Sequence, residues 1–336
     1  MDLRFLLARV VDTGVPGAIG LAAQDDAVRV DAAGLADVTG GIPLTPDHRF
    51  RVGSITKTFL STVVLQLFAE GRVRLDDSVA QHVPGVIRDG ADVTLRALLN
   101  HTSGIPDYFF AAASGDLHRT WTPRELVELS SHAAPGERGR FAYSNTNYLV
   151  LGLAVEAVTG ATVEQQLEHR IIRPLGLSST GTDAIAVPIA RGYLAPSNPI
   201  VPSTGSQLVD VSELGSTWAW PALVSSARDI ARFLQRLLGG ELLPAELLDQ
   251  MLAGVESDWV ESDRYGLGIE EVSSLMGVSH SPLGSFWGHA GLGLGHTVVA
   301  LASRDGRQRT VVMVNQGMID DEMWQAIGDV AWPALA

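Results

Sequence analysis

The run Ile55–Gly71, ITKTFLSTVVLQLFAEG, is apolar on nearly every face when wound as a helix. A helix of that kind has to be covered on all sides, so the rest of the chain must build layers around it. Gly71 supplies its stop signal. At its start stand Ser54 and Lys57, three residues apart and therefore neighbours on one helix face. Lys57 is the only lysine in the chain, against 23 arginines. Arginine keeps its proton inside a protein, whereas a buried lysine can release one. A sole lysine beside a serine is thus a candidate for proton chemistry; the alternative is an ordinary surface lysine left by composition bias. The helix start adds a positive potential that favours an ionised hydroxyl or an anion nearby.

With 336 residues, 46% of them hydrophobic, the chain can fill one large domain or two. The absence of cysteine excludes disulfides, thiolate nucleophiles and thiolate metal sites. A net charge of −14 repels nucleic acid and anionic lipid, so neither is expected as a partner. No uninterrupted apolar run reaches the roughly 18 residues of a membrane span. The start, MDLRFLLARVVDTG, has no basic leader region, and Arg4 and Arg9 break its apolar pattern; it reads as a helix and not as a signal peptide. As given, the chain is expected to be cytoplasmic, although a secreted mature form would look similar.

In chain order, Asp2–Thr13 has helical periodicity, and Ala18–Ala23 and Val28–Ala33 read as strands around a Gln24-Asp25-Asp26 turn. Phe50–Val52 is a short strand leading to Gly53 and Ser54. Between about 72 and 255 the pattern is helical and loop-rich, with helices expected at Leu75–Val83, Thr94–Leu99, Thr122–Ser131, Asn147–Val158, Val163–Ile172, Ser225–Leu238 and Leu243–Leu252. Thr122 with Pro123 is an N-cap followed by a first-position proline. Ser225 and Ser226 read as caps, and Ala184–Ser216 as a long surface excursion. Strand character returns at Arg264–Val272, Ser285–His289, Thr297–Ser303 and Arg309–Val314, with Asp305-Gly306 a hairpin turn and Met318–Ala336 a closing helix. The fold class expected is α/β plus all-α, an antiparallel sheet flanked by helices with a helical insertion. Its discontinuous α/β domain would take residues 1–70 and 256–336, with a mostly helical domain over 71–255 and the active site between them.

Three distant stretches share a chemical character: Ser54-Ile55-Thr56-Lys57, Tyr143-Ser144-Asn145, and His289-Ala290-Gly291 within WGHAGLGLG. Together they resemble the S-x-x-K, Y-x-N and [K/H]-[T/S/A]-G motifs of the penicillin-recognising serine hydrolases, with the β-lactamase/DD-peptidase-like fold. The Y-x-N variant resembles the class C β-lactamase, DD-peptidase and D-aminopeptidase branch. NHTSGIPDY, FAYSNTNYLVLG, RPLGLSST, VSSARDIARFLQ and YGLGI follow in family order, so the resemblance spans nearly the whole chain and is closest to the actinomycete-type D-alanyl-D-alanine carboxypeptidases. Gly291–Gly295 is not a dinucleotide fingerprint, and H-E-x-x-H and G-x-S-x-G are both missing.

The resemblance implies that Ser54 attacks a carbonyl and forms an acyl-enzyme. Either Lys57 or Tyr143 would take its proton, and no metal or organic cofactor is needed. Asn145 would donate to a substrate carbonyl, and the backbone N–H groups of Ser54 and Leu292 would form the oxyanion hole. His289 stands where lysine-type relatives have lysine, and would shape the site and its field. Gly291 would let a substrate backbone lie against the strand edge. His101 is expected to be structural, and Trp218 and Trp220 either line a cleft or fill a core. Two departures concern binding. The middle residue of the third motif is Ala290, without the relatives' hydroxyl, and Glu270 and Glu271 stand where a nearby strand should carry arginine. Both disfavour a free carboxylate and point to a neutral or cationic amide, ester or peptide, in which the resemblance implies D-configured residues. Candidate activities are D-aminopeptidase or amidase, DD-carboxypeptidase, esterase, weak β-lactamase and peptide cyclase, with β-lactams as candidate acylating ligands. The rival from another class is a catalytically silent penicillin-binding-like sensor or scaffold.

Overall fold

A computed structural model describes residues 2–182, 189–201, 205, 207–214, 223–257 and 262–335. Among them the main sheet has nine antiparallel strands: β1 (Gly17–Gln24), β2 (Ala27–Asp37), β3 (Ile42–Pro43), β4 (Val255–Glu256), β5 (Arg264–Tyr265), β6 (Glu270–Val272), β7 (Phe286–Leu292), β8 (Thr297–Ala302) and β9 (Gln308–Val314). Their order is β3-β2-β1-β9-β8-β7-β6-β5-β4, so strands from both ends of the chain meet where β1 pairs with β9. The Asp305-Gly306 turn joins β8 to β9, with Gly306 in the left-handed region at φ 70°.

Alternation along the central strands sends apolar residues to both faces. Val298, Ala300 and Ala302 of β8 join the core built on α2 (Ile55–Ala69), while Val299 and Leu301 join the core under the two terminal helices. Those helices are α1 (Leu3–Asp12), capped by the Asp2 side chain on Arg4 N–H, and α8 (Asp321–Ala331), capped by Asp320 on Met323 N–H. On the other face, α2 is buried on all sides, as its composition requires. It packs against α6 (Ala227–Leu238), where Phe59 and Phe233 stack with ring centroids 3.7 Å apart, and against α5 (Asn145–Thr159), where Ser61 meets the Tyr148 hydroxyl at 3.1 Å. The remaining helices used below are α3 (Leu95–Leu99), α4 (Pro123–Ser130), which opens on the Thr122–Glu125 capping box, and α7 (Ala245–Leu252). No single helix among the described residues is long and apolar enough to cross a membrane. The bent pair 145–159 and 163–175 passes that test only when its two parts are counted together.

Several expected boundaries move. Leu75–Val83 is helical only over Val79–His82, because the Asp77 carboxylate accepts from Arg74 N–H and closes a turn ahead of the Ser78–Gln81 capping box. α5 begins two residues early, at Asn145, so the polar Asn145-Thr146-Asn147 is its first turn and not the loop before it. Arg264–Val272 is not one strand: Gly266–Ile269 forms a tight connection between β5 and β6, with Gly268 at φ 81°. α6 lies in the interval expected for the helical domain, yet packs on β1, β8 and β9. We propose the two-part division with that helix on the sheet side, supported by its share of the sheet-facing core.

Candidate active site

The turn before α2 places the candidate nucleophile. Gly53 sits at φ 52°, and a Cβ there would come within 3.0 Å of Leu292 O and 3.2 Å of Leu292 N. Only glycine combines that backbone conformation with so close an approach of β7. Ser54 caps α2 through its main chain, and its side chain makes no cap bond. Its Oγ faces inward instead, accepting from Lys57 Nζ at 2.8 Å and from the Tyr143 hydroxyl at 2.9 Å. Lys57 is 7% exposed and also donates to Asn145 Oδ1 at 2.7 Å, while its Nζ stands 4.9 Å from the centre of the Tyr143 ring. Residues from two distant stretches, 54–57 and 143–145, thus converge on one hydroxyl.

Asn145 is oriented from the other side as well. Its Nδ2 donates to Asp107 Oδ2 at 2.8 Å, which leaves Oδ1 for the lysine. Burial holds the Asp107 carboxyl above its usual range, and its other oxygen accepts from Phe109 N–H. Asp107 lies in the NHTSGIPDY stretch but was not among the residues expected at the site. The contact joins a loop to the first residue of α5, 38 positions on, and no local spacing signals it. His101, expected to be structural, is fully buried behind Tyr143, its ring stacked at 4.2 Å.

β7 forms the opposite wall. His289 is buried, its Nδ1 lies 2.6 Å from Ala290 O, and its Nε2 lies 3.0 Å from the Tyr265 hydroxyl. With oxygens beside Nδ1, the proton belongs there and Nε2 accepts from Tyr265. Burial, then the nearby Lys57, lowers the imidazole to about 3, so it is neutral and supplies none of the positive field a lysine would bring. Tyr265 was also missed as a site neighbour; only its place in YGLGI hinted at it.

The expectation for Glu270 is overturned. Its side chain is 0% exposed, so it cannot meet a substrate. It lies beneath the strand, accepting from Ala290 N–H at 3.2 Å, with its other oxygen 3.4 Å from His289 Nδ1. The misreading follows from treating Arg264–Val272 as one strand. The Gly266–Ile269 turn folds β6 back, and Glu270 pairs with Gly288 under the third motif. Ala290 is buried, Gly291 packs on Val52, and Leu292 is 39% exposed at the strand end. Trp218 and Trp220 lie outside the described residues.

This assembly has counterparts among known proteins. The family model described as Beta-lactamase matches residues 4–331. Penicillin-binding protein 4 of Amycolatopsis lactamdurans is 28% identical over 265 residues, covering 73% of this chain and 68% of that protein. Matches to two penicillin-binding proteins of Bacillus subtilis span only 33% and 62% of their length. Among solved structures, a D-stereospecific amidohydrolase from Streptomyces sp. is 34% identical with a TM-score of 0.81, over 97% of this chain and 96% of that one. The D-amino acid amidase of Ochrobactrum anthropi SV3, complexed with L-phenylalanine, is 26% identical with a TM-score of 0.84, over 98% and 95%. With a match over nearly its whole length, the chain belongs to the beta-lactamase family and is a serine hydrolase of that family.

Proposed function

We propose that the protein hydrolyses the amide of a D-configured amino acid or short peptide through an acyl-enzyme on Ser54. The observation that carries this reading is the double contact on Ser54 Oγ, from Lys57 at 2.8 Å and Tyr143 at 2.9 Å. A serine hydroxyl is a weak nucleophile until a neighbour takes its proton, and among the described residues these two side chains are hydrogen-bonded to it. Ser54 Oγ bonds to the carbonyl carbon, its proton passes into the Lys57–Tyr143 pair, and the carbonyl oxygen becomes an oxyanion. The N–H groups of Ser54 and Leu292 would receive it, a role supported by the close approach of β7 to the turn before α2. Collapse expels the amine, which carries the proton away. Water then attacks the ester along the same route in reverse and frees the acid.

The substrate reading rests on the binding wall. Ala290, the middle residue of the third motif, offers no hydroxyl to hold a free carboxylate. A blocked, neutral C-terminus suits that edge better. The likeness to a D-stereospecific amidohydrolase and a D-amino acid amidase supports the same class. The second reading, acylation by a β-lactam or by a peptide ending in D-Ala-D-Ala, is favoured by the relatives called penicillin-binding proteins.

One panel separates them: D- and L-phenylalanine amide, an ester of each, and D-Ala-D-Ala peptides with free and masked carboxylates. Turnover of the D-amide with little of the free-carboxylate peptide is expected. Preferred turnover of the peptide, lost on masking, overturns the amidase reading. Ser54→Ala should abolish both turnover and the acyl mass adduct; an adduct surviving in that variant removes Ser54 as nucleophile.

A further inference from the structure

The proposed chemistry needs the Tyr143 phenol held 2.9 Å from Ser54 Oγ, yet Tyr143 is carried by a segment before the first turn of α5. We propose that His101 is a positioning residue, a neutral imidazole clamp that fixes Tyr143 against the nucleophile. The inference rests on Ser54 and Tyr143 acting as described above.

The clamp has three points. The His101 carbonyl accepts from Ala142 N–H at 2.9 Å, and its Nδ1 accepts from Ser144 N–H at 3.1 Å. The main chain is therefore tied on both sides of Tyr143. Between those ties the imidazole lies under the phenol ring, with centroids 4.2 Å apart and planes inclined by 29°. One residue thus sets the height, tilt and main-chain position of the tyrosine.

The protonation state follows from the donors. A main-chain N–H can only donate, so Nδ1 carries no proton and Nε2 does. Asn147 agrees: Ser103 Oγ donates to its Oδ1 at 2.6 Å, which turns its Nδ2–H toward His101 Nδ1 at 3.0 Å. An imidazolium would point a third N–H at these two. Among the described residues the buried Nε2–H has no hydrogen-bond partner, so the ring's hydrogen bonds all lie on the Tyr143 side. The backbone points the same way. His101 sits at φ 58°, in the left-handed region, a conformation that a non-glycine residue keeps only where its surroundings impose it. A ring wanted only as core filler needs neither that backbone nor the two N–H ties.

The test is a double-mutant cycle on a p-nitrophenyl ester, with thermal melts run alongside. His101→Asn tolerates the left-handed backbone and places an oxygen where Nδ1 stood, so it removes the stacked ring alone; His101→Phe keeps a ring and removes the acceptor. Each should lower kcat about 100-fold, the cost of a misplacement near 1 Å, with KM within about twofold. In a Tyr143→Phe background, His101→Asn should cost less than about twofold more, because its partner is already gone. Equal losses in both backgrounds, or a loss explained by the unfolded fraction, overturn the proposal. If neither variant folds, ¹⁵N NMR of the histidine-labelled wild type at neutral pH decides, since a protonated Nδ1 at His101 also overturns it. A wild type inert toward the ester and the amide panel would instead count against the Ser54 reading, and the NMR result would still judge the clamp.

Discussion

Replacing Gly291 by alanine should wound catalysis far more than folding. A Cβ at that position would lie 2.1 Å from Val52 O and 3.0 Å from Val52 C. Carbon does not approach a carbonyl oxygen so closely, and relief requires a parting of about 0.9 Å, close to the misplacement that costs ~100-fold in rate. Neither side yields freely. Val52 N–H is tied to Leu223 O and Val52 O accepts from Ile55 N–H, while Gly291 is in register with Val298 on β8. The shift therefore separates the Ser54 turn from the 290–292 edge, where the Leu292 N–H is proposed to meet the oxyanion. Moving one such donor out of reach costs ~10²–10³ in kcat, whereas overpacking costs about 1–3 kcal/mol of stability. Gly293→Ala is the control, because its Cβ would meet only His296 O at 3.8 Å. The assay is kcat/KM on the best amide of the panel, with a melt for each variant. A Gly291→Ala enzyme within about threefold of wild type refutes the reasoning, as does an equal loss in Gly293→Ala.

Lys57→Arg keeps the charge but not the removable proton, and should lower kcat by at least about 10³-fold with the far-UV spectrum intact; activity near wild type would remove Lys57 from proton transfer. Asp107→Leu deletes the acceptor that holds Asn145 Nδ2, and kcat should fall by about tenfold as one charge-assisted hydrogen bond is lost; unchanged kinetics would make Asp107 a bystander. The buried histidines dictate the response to acid. His289 is lowered to about 3, His296 to about 4, and His101 well below its ordinary value, each chiefly by burial. Between those values and an unfolded value near 6.5 the unfolded chain binds more protons, so the contribution is whole above pH 6.5 and is lost as pH falls toward 4 and 3. The unfolding free energy from urea titration should decline over that window by up to about 1.4 kcal/mol per pH unit for each histidine, and a flat profile would contradict it.

Much of the site could be read from the chain because its chemistry is local. Ser54 and Lys57 share a helix turn, and the all-apolar run fixes that helix at the centre, so both side chains had to be sheltered. Tyr143 and Asn145 were found by their resemblance to the family's Y-x-N motif, and the structure brings Tyr143 to the serine and Asn145 to the lysine. What escaped depends on contacts between distant segments. Asp107 meets Asn145 between a loop and the start of α5, and Tyr265 meets His289 between β5 and β7. Glu270 was misplaced for a different reason: a four-residue turn reverses the chain, and period-two alternation cannot foresee which side of the sheet follows. Helix ends erred for want of capping information, as at Asn145, where polar residues that suit a loop begin α5.

The lone lysine has a practical consequence. Proteases that cut after lysine can sever the chain only between Lys57 and Thr58, inside the buried first turns of α2. The native protein should resist such an enzyme until α2 is opened, so the rate of a single cut reports the population of molecules whose active-site helix has come apart. One gel band then measures the integrity of the catalytic helix, with no substrate and no label.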